Sequence, residues 1–217
     1  ESKLYYQATH QAVNGFPNIV LLQQLLHKLL HSESEKMRHF SLVFFHLSRI
    51  QEINKTLGHA NADIVLSLFS KRLSNIPIDE NVSLVMEKID QNTHYFAHIE
   101  GVIFAHILKT GEQNKALDIV SKIRSELAQP IEFNGMELDL GLSVGIACYP
   151  THGSDIETII RHARVAIDSA GNANDHIGIY SQEINPYSAR RLVLMGELKK
   201  AIETNALALH YQPIICT

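Results

Sequence analysis

The feature that most constrains this chain is the run Phe40 to Leu47, F-S-L-V-F-F-H-L. Apolar residues follow one another there almost without interruption, whereas a strand with one wet face alternates apolar and polar side chains. The run predicts a central strand buried on both faces. Before it, Leu22, Leu25, Leu26, Leu29 and Leu30 recur at helical spacing within Ile19 to His31, an amphipathic helix that follows the turn cluster Asn14-Gly15-Phe16-Pro17-Asn18. Ser32 to Arg38 reads as a charged loop. After the strand, Ser48 is a candidate N-cap for a helix to about Leu57. Asn61 is a candidate cap for a longer helix to Leu73, with Ile64, Val65, Leu68 and Phe69 on its apolar face.

Val82 to Ile89 predicts a further strand. The aromatic and β-branched arms His94 to Ile99 and Val102 to Leu108 then predict a hairpin turning at Glu100-Gly101, with Gly where positive φ is needed. A helix is expected from Gly111 to about Ala128, stopped by Pro130. Ile131 to Phe133 and Leu138 to Tyr149 are expected to pair around Asn134-Gly135, the strongest turn signal in the chain. Ser154 opens a helix to about Ala170, with Asp155 and Glu157 at its positive end. The polar break Gly171 to Asp175 then leads to a strand at Ile177 to Tyr180. The sum is an α+β fold, a mostly antiparallel sheet with helices packed against it. In outline, residues 1–13 are an incoming linker helix, 14–183 the domain, and 184–205 a connecting helix opened by Pro186. Residues 206–217 read as a strand without a partner in this chain, the expected start of a second domain.

A net charge of −4 and a pI near 6.4 supply no general basic field, so nucleic acid is not an expected partner. Two distant cysteines, Cys148 and Cys216, make neither a disulfide framework nor a metal spacing and fit a reducing compartment. No apolar run reaches the roughly 18 residues of a membrane span and no signal peptide is visible. A cytoplasmic segment without membrane contact is expected. The chain opens at Glu1 rather than Met, so it is expected to be a piece of a longer protein, with upstream sensor or membrane segments left open. Thirteen histidines invite a metal reading. His27 and His31 stand at i,i+4, and His94, His98 and His106 share parity within the hairpin arms. No Cys or carboxylate completes either set, which leaves solvated or packing histidines as the expectation and no metal site.

The order of elements, together with several motifs, resembles the GGDEF domain, the diguanylate cyclase fold. Q-A-V-N-G-F-P-N-I at 11–19 looks like the family's D-x-L-T-G-L-P-N-R, and E-I-N-K-T-L-G-H-A-N-A-D at 52–63 is similar to E-I-N-D-x-x-G-H-x-x-G-D. L-S-V-G-I-A-C-Y-P at 142–150 is similar to S-x-G-I-A-x-Y-P, and A-R-V-A-I-D-S-A at 163–170 falls where A-D-x-A-L-Y-x-A lies. The tail L-A-L-H-Y-Q-P-I-I at 207–215 resembles the opening strand of an EAL domain, the cyclic di-GMP phosphodiesterase fold. The resemblance implies a tandem GGDEF–EAL parent protein.

A cyclase of this kind joins two GTP molecules and needs carboxylate-held divalent metal. The resemblance places one such carboxylate at His46, where imidazole is a poor Mg²⁺ ligand, and sets Ser48 where a second Asp is common. The signature G-G-D-E-F falls on Glu100, Gly101, Val102, Ile103 and Phe104, so both acids are replaced by apolar side chains. Glu100 is either a solvated turn residue or a charge that excludes phosphate. The family's phosphate-binding cations fall on Gln51, Gly171 and Asp175. The inhibitory-site pair R-x-x-D falls on Gln91 and His94, neither able to reproduce a bidentate Arg contact. Asn54 and Asp63 survive where the family hydrogen-bonds guanine, with a helix-end amide and a solvated carboxylate as the plainer alternatives.

These substitutions imply a catalytically inactive, regulatory GGDEF-like module that controls or positions its own downstream EAL domain. No cofactor is expected, with GTP or Mg²⁺ bound at most weakly. A homodimer through the linker helices and a separate protein partner are further expectations. Two alternatives stay open: a GTP sensor that activates an EAL phosphodiesterase through Asn54 and Asp63, and a cyclic di-GMP receptor in which both domains are degenerate.

Overall fold

The apolar run becomes the middle strand of a five-stranded sheet. A computed structural model describes residues 2–89, 92–171, 173, 175–183, 189–204 and 206. The chain divides into two units, Glu1–Ile184 and Asn185–Thr217. The first holds, in order, α1 (Ser2–Thr9), α2 (Ile19–Leu30), β1 (Phe40–Leu47), α3 (Ile50–Leu57), α4 (His59–Asn75), β2 (Glu87–Ile89), β3 (Asn92–His94), β4 (Phe96–Glu100) and β5 (Ile103–Leu108). It continues with α5 (Gln113–Leu127), β6 (Ile131–Phe133), β7 (Met136–Leu138), β8 (Leu142–Tyr149), α6 (Ile156–Ala170) and β9 (Ile177–Ile179).

The sheet runs β4-β5-β1-β8-β9, antiparallel except for the β8–β9 pair. Because β1 sits in the middle, its alternate side chains enter two separate cores. Val43, Phe45 and Leu47 join Val65, Phe69, Val120 and Ile123 from α4 and α5 on one face. Phe40, Leu42 and Phe44 join Leu22, Leu26, Ile159 and Ala163 from α2 and α6 on the other. Gly145 on β8 lets α6 approach this closely, since a Cβ there would meet the Ala163 carbonyl at 2.3 Å. Antiparallel strands covered on both sides make an α+β domain.

Four local expectations are corrected. The strand expected from Val82 to Ile89 exists only at its end, as β2, which pairs with β3 outside the main sheet. β4 occupies the edge of β5 as far as His106, leaving Ser83 a single bridge to Leu108. The Asn134-Gly135 turn forms with positive φ at both residues, but it joins β6 only to the short β7. The segment expected to continue that hairpin breaks at Asp139–Gly141, and β8 pairs with β1 instead. Ser48 does not cap α3: its Oγ donates to the Gly141 carbonyl at 2.9 Å, tying the end of β1 to the loop before β8. Asn61 lies inside α4, which begins at His59 after Gly58, and its Nδ2 donates to the Leu57 carbonyl at 2.8 Å.

The second unit contributes α7 (Ala189–Glu203), on which Val193, Leu194, Met195, Leu198 and Ile202 are exposed. The strand expected at 206–211 lies outside the described residues save for Ala206. Among the described residues, no helix is long and apolar enough to cross a membrane.

Candidate functional site: the signature turn and the end of the central strand

The antiparallel register sets the end of β1 beside the start of β5, with His46 paired to Ile103 and Phe45 to Phe104. On the other side His46 pairs with Ser143 of β8. His46 is half-buried, and burial lowers its pKa while the charge of Asp168 on α6 acts in the opposite direction. Val102 and Ile103 pack at the edges of the two cores, one on each face of the sheet. Among the described residues, no group of three or more His, Cys, Asp or Glu is placed to hold a metal ion. An imidazole disfavoured as a cation, facing an aliphatic side chain, does not fit a divalent oxygen-seeking metal. The Mg²⁺ that the fold family implies is not matched by these residues.

The turn itself is held by polar contacts that sequence reasoning missed. His98 on β4 is buried and stacks on Phe104, ring centroids 4.6 Å apart. Its Nε2–H donates to the Gly101 carbonyl at 2.9 Å, so Nδ1 is the acceptor, and the Asn14 amide donates to it at 3.2 Å. Asn14 also donates to Ser70 Oγ on α4 at 2.9 Å. One chain of hydrogen bonds thus runs from the early turn cluster into the signature turn, where Gly101 has a φ of +50°. Burial lowers the His98 pKa, with the Gly101 carbonyl opposing.

Glu100 is exposed beside the turn, as a solvated residue would be, but its charge is paired. Arg164 Nη1 on α6 donates to Glu100 Oε1, and this hydrogen bond holds the carboxyl below its usual pKa. The Arg164 guanidinium also lies 6.0 Å from the centre of the Phe44 ring. In the sequence each departs from the resembling motif separately, Arg164 where the motif has an acid and Glu100 where it has a glycine, but nothing there pairs them.

The other candidate positions do not converge. Gln51 is exposed on α3, and Gly171 is exposed at the C-terminal end of α6. Asp175 Oδ1 accepts from the Ile177 N–H at 3.2 Å. His94 is half-buried, set edge-on to Phe16 and paired with Glu87 across β2–β3. Burial lowers its pKa, Glu87 raises it and His10 lowers it. Gln91 lies outside the described residues. Asp63 is exposed on α4, while Asn54 is half-buried on α3. Asn54 Oδ1 is buried without a hydrogen-bond partner among the described residues. Of the metal-reading histidines, His31 Nδ1 donates to the His27 carbonyl at 2.9 Å. His106 Nδ1 donates to the Tyr95 carbonyl at 2.8 Å and its Nε2 accepts from Ser83 Oγ at 3.0 Å.

Fold and site together define a helix-flanked, hairpin-bearing α+β domain whose turn closes over the end of its central strand. The chain belongs to the GGDEF family of cyclic di-GMP signalling domains: the family described as "Diguanylate cyclase, GGDEF domain" matches residues 8–176. It is 28% identical over 217 residues to the cyclic di-GMP phosphodiesterase PdeR of Escherichia coli, covering 99% of this chain and 30% of that protein. It is 24% identical over 213 residues to the bifunctional diguanylate cyclase/cyclic di-GMP phosphodiesterase MucR of Pseudomonas aeruginosa, covering 97% of this chain and 29% of that protein. The chain therefore spans under a third of the length of these relatives. The solved GGDEF domain of TpbB from Pseudomonas aeruginosa superposes with a TM-score of 0.66 at 23% identity, covering 85% of this chain and 99% of that one, which speaks to the fold.

Proposed function

We propose that this domain is a catalytically inactive GGDEF module that regulates a downstream EAL domain in the same protein. The observation that supports the reading is the pairing of His46 with Ile103 across β1 and β5: the reading assigns this imidazole and this aliphatic side chain to the two positions where metal-held phosphoryl transfer needs carboxylates. Support comes from Glu100, tied to Arg164 where backbone would approach a triphosphate, and from Gln51, Gly171 and Asp175 at the phosphate-cation positions. The intact cores beside these losses fit selection for a scaffold. Under this reading residues 14–183 are the regulatory domain, 184–205 a connecting helix and 206–217 the first strand of the EAL domain. PdeR and MucR, with phosphodiesterase in their names, make cyclic di-GMP hydrolysis the activity proposed for the whole protein. A cytoplasmic location and a homodimer through the linker helices belong to the same proposal.

A second reading, a GTP sensor, is favoured by one specific observation. Asn54 Oδ1, without a hydrogen-bond partner among the described residues, is an acceptor of the kind that suits the N–H edge of guanine. Cyclic di-GMP hydrolysis by the full-length protein, measured with residues 14–183 present and deleted, tests the first reading: regulation requires the rate to change, and an unchanged rate removes it. Adding GTP to the intact protein and to its Asn54→Ala variant tests the second. Activation lost in the variant supports a sensor, and no response in either rejects it.

A further inference from the structure

At the end of β8 remote from the signature turn, the domain holds a cavity of about 640 Å³. His152, Arg161, His162, Tyr180, Ser181 and Gln113 are among its lining side chains, and none of the described lining residues is acidic. Two of the lining groups are locked by bonds that leave little choice of proton position. His152 is buried, and its Nδ1 accepts from the Cys148 N–H at 3.0 Å. Its ring proton therefore lies on Nε2, which faces the Gln113 side-chain amide at 2.9 Å and donates to it when that amide turns its oxygen toward the ring. His162 Nδ1–H donates to the His152 carbonyl at 2.5 Å, and its ring stacks flat on Tyr180 with centroids 3.6 Å apart. That leaves His162 Nε2 as the ring nitrogen of the pair not committed to a protein partner among the described residues. A metal ion would find one open nitrogen and no carboxylate, short of any ordinary coordination set.

An anion meets the opposite conditions. Arg161 supplies a permanent planar charge and makes no ion pair within 4.0 Å among the described residues. Asp155, the N-cap of the same helix, is occupied by the Thr158 N–H at 2.8 Å and the Thr158 hydroxyl at 2.9 Å, and Glu157, one turn before Arg161, makes no ion pair with it within 4.0 Å. Ser181 adds a hydroxyl donor. We propose that this cavity binds a small oxyanion, a phosphate monoester or a carboxylate, with Arg161 as the charge anchor and the Ser181 hydroxyl as an orienting donor. Because Arg161, His162 and Arg164 share α6, the site lies on the helix that also grips the signature turn through Glu100.

The test is a titration of the whole chain with inorganic phosphate and, separately, with succinate, against sodium chloride at matched ionic strength, following the His152 and His162 ring resonances by NMR. The expected result is a saturable shift of both resonances with at least one oxyanion and none with chloride. Affinity should weaken about tenfold in Arg161→Ala, the loss of one charged hydrogen-bonding partner. Arg161 is exposed, so this variant folds, and the unshifted remaining resonances verify it. Saturation by phosphate alone or by succinate alone supports the site and names the ligand class. No saturable shift with either, or equal affinity in Arg161→Ala, overturns it.

Discussion

His46 and Ile103 stand directly opposite each other on neighbouring antiparallel strands, and the proposed function assigns them the two positions where a working cyclase would hold metal. Side chains so paired are within about 4.5–5.5 Å at Cβ, close enough for two carboxylates to share one cation. Replacing both, as His46→Asp with Ile103→Glu, is expected to destabilise the metal-free protein by roughly 1 kcal/mol through like-charge repulsion. It should also create a melting temperature that rises with added Mn²⁺. The wild-type melting temperature is expected to be indifferent to Mn²⁺ at the same concentration. Differential scanning fluorimetry of both proteins reads the difference.

Asn54 carries a buried oxygen with no hydrogen-bond partner among the described residues. Such a group costs about 1–3 kcal/mol when nothing satisfies it. Alanine removes the oxygen and favours the helix, so Asn54→Ala is expected to raise stability by about 1 kcal/mol in urea denaturation. A fall in stability would mean that the amide is already satisfied in the folded protein.

The His98 bridge between Asn14 and Gly101 predicts a loss that packing alone would not. His98→Leu keeps an apolar body against Phe104 but strands the Gly101 carbonyl and the Asn14 amide. The expected cost is about 2 kcal/mol, read as a lower urea midpoint at unchanged slope. Amide exchange at the signature turn should accelerate more than in α5, which the bridge does not touch.

Acid should weaken the fold before the carboxylates titrate. Burial depresses His106 from 6.5 to about 4, and it lowers His46, His94, His98 and His152 as well. A histidine whose folded pKa lies below its unfolded value is neutral in both states at high pH. Below about pH 6.5 the unfolded chain takes up the proton first, so stability falls with pH until the folded pKa is passed. His106 alone is expected to remove roughly 3 kcal/mol between about pH 6.5 and 4. Urea titrations at intervals across that window check the slope, and His106→Gln should flatten it.

Much of the fold was legible because it rests on local chemistry. The unbroken run at Phe40–Leu47 could only be a central strand, and the Gly at position 101 could only be a turn. What failed was pairing at a distance. Nothing near Leu138 reveals that β8 leaves β7 to join β1, or that Ser48 spends its hydroxyl on Gly141 rather than on its own helix. The candidate site was legible position by position from the family resemblance, yet its partners were not. Glu100 and Arg164 are 64 residues apart, and only the fold brings the two charges together. His98 was considered as a metal ligand, while its role as a bridge needed Asn14, 84 residues earlier.

The most direct test of catalytic inactivity is to incubate the purified domain at high concentration with GTP and either Mg²⁺ or Mn²⁺, and to quantify cyclic di-GMP by mass spectrometry. If His46 and Ile103 stand in place of the metal carboxylates, as proposed, product is expected to stay at the level of a protein-free control. Cyclic di-GMP accumulating in proportion to protein concentration would contradict the reading of this domain as a regulatory scaffold without cyclase chemistry.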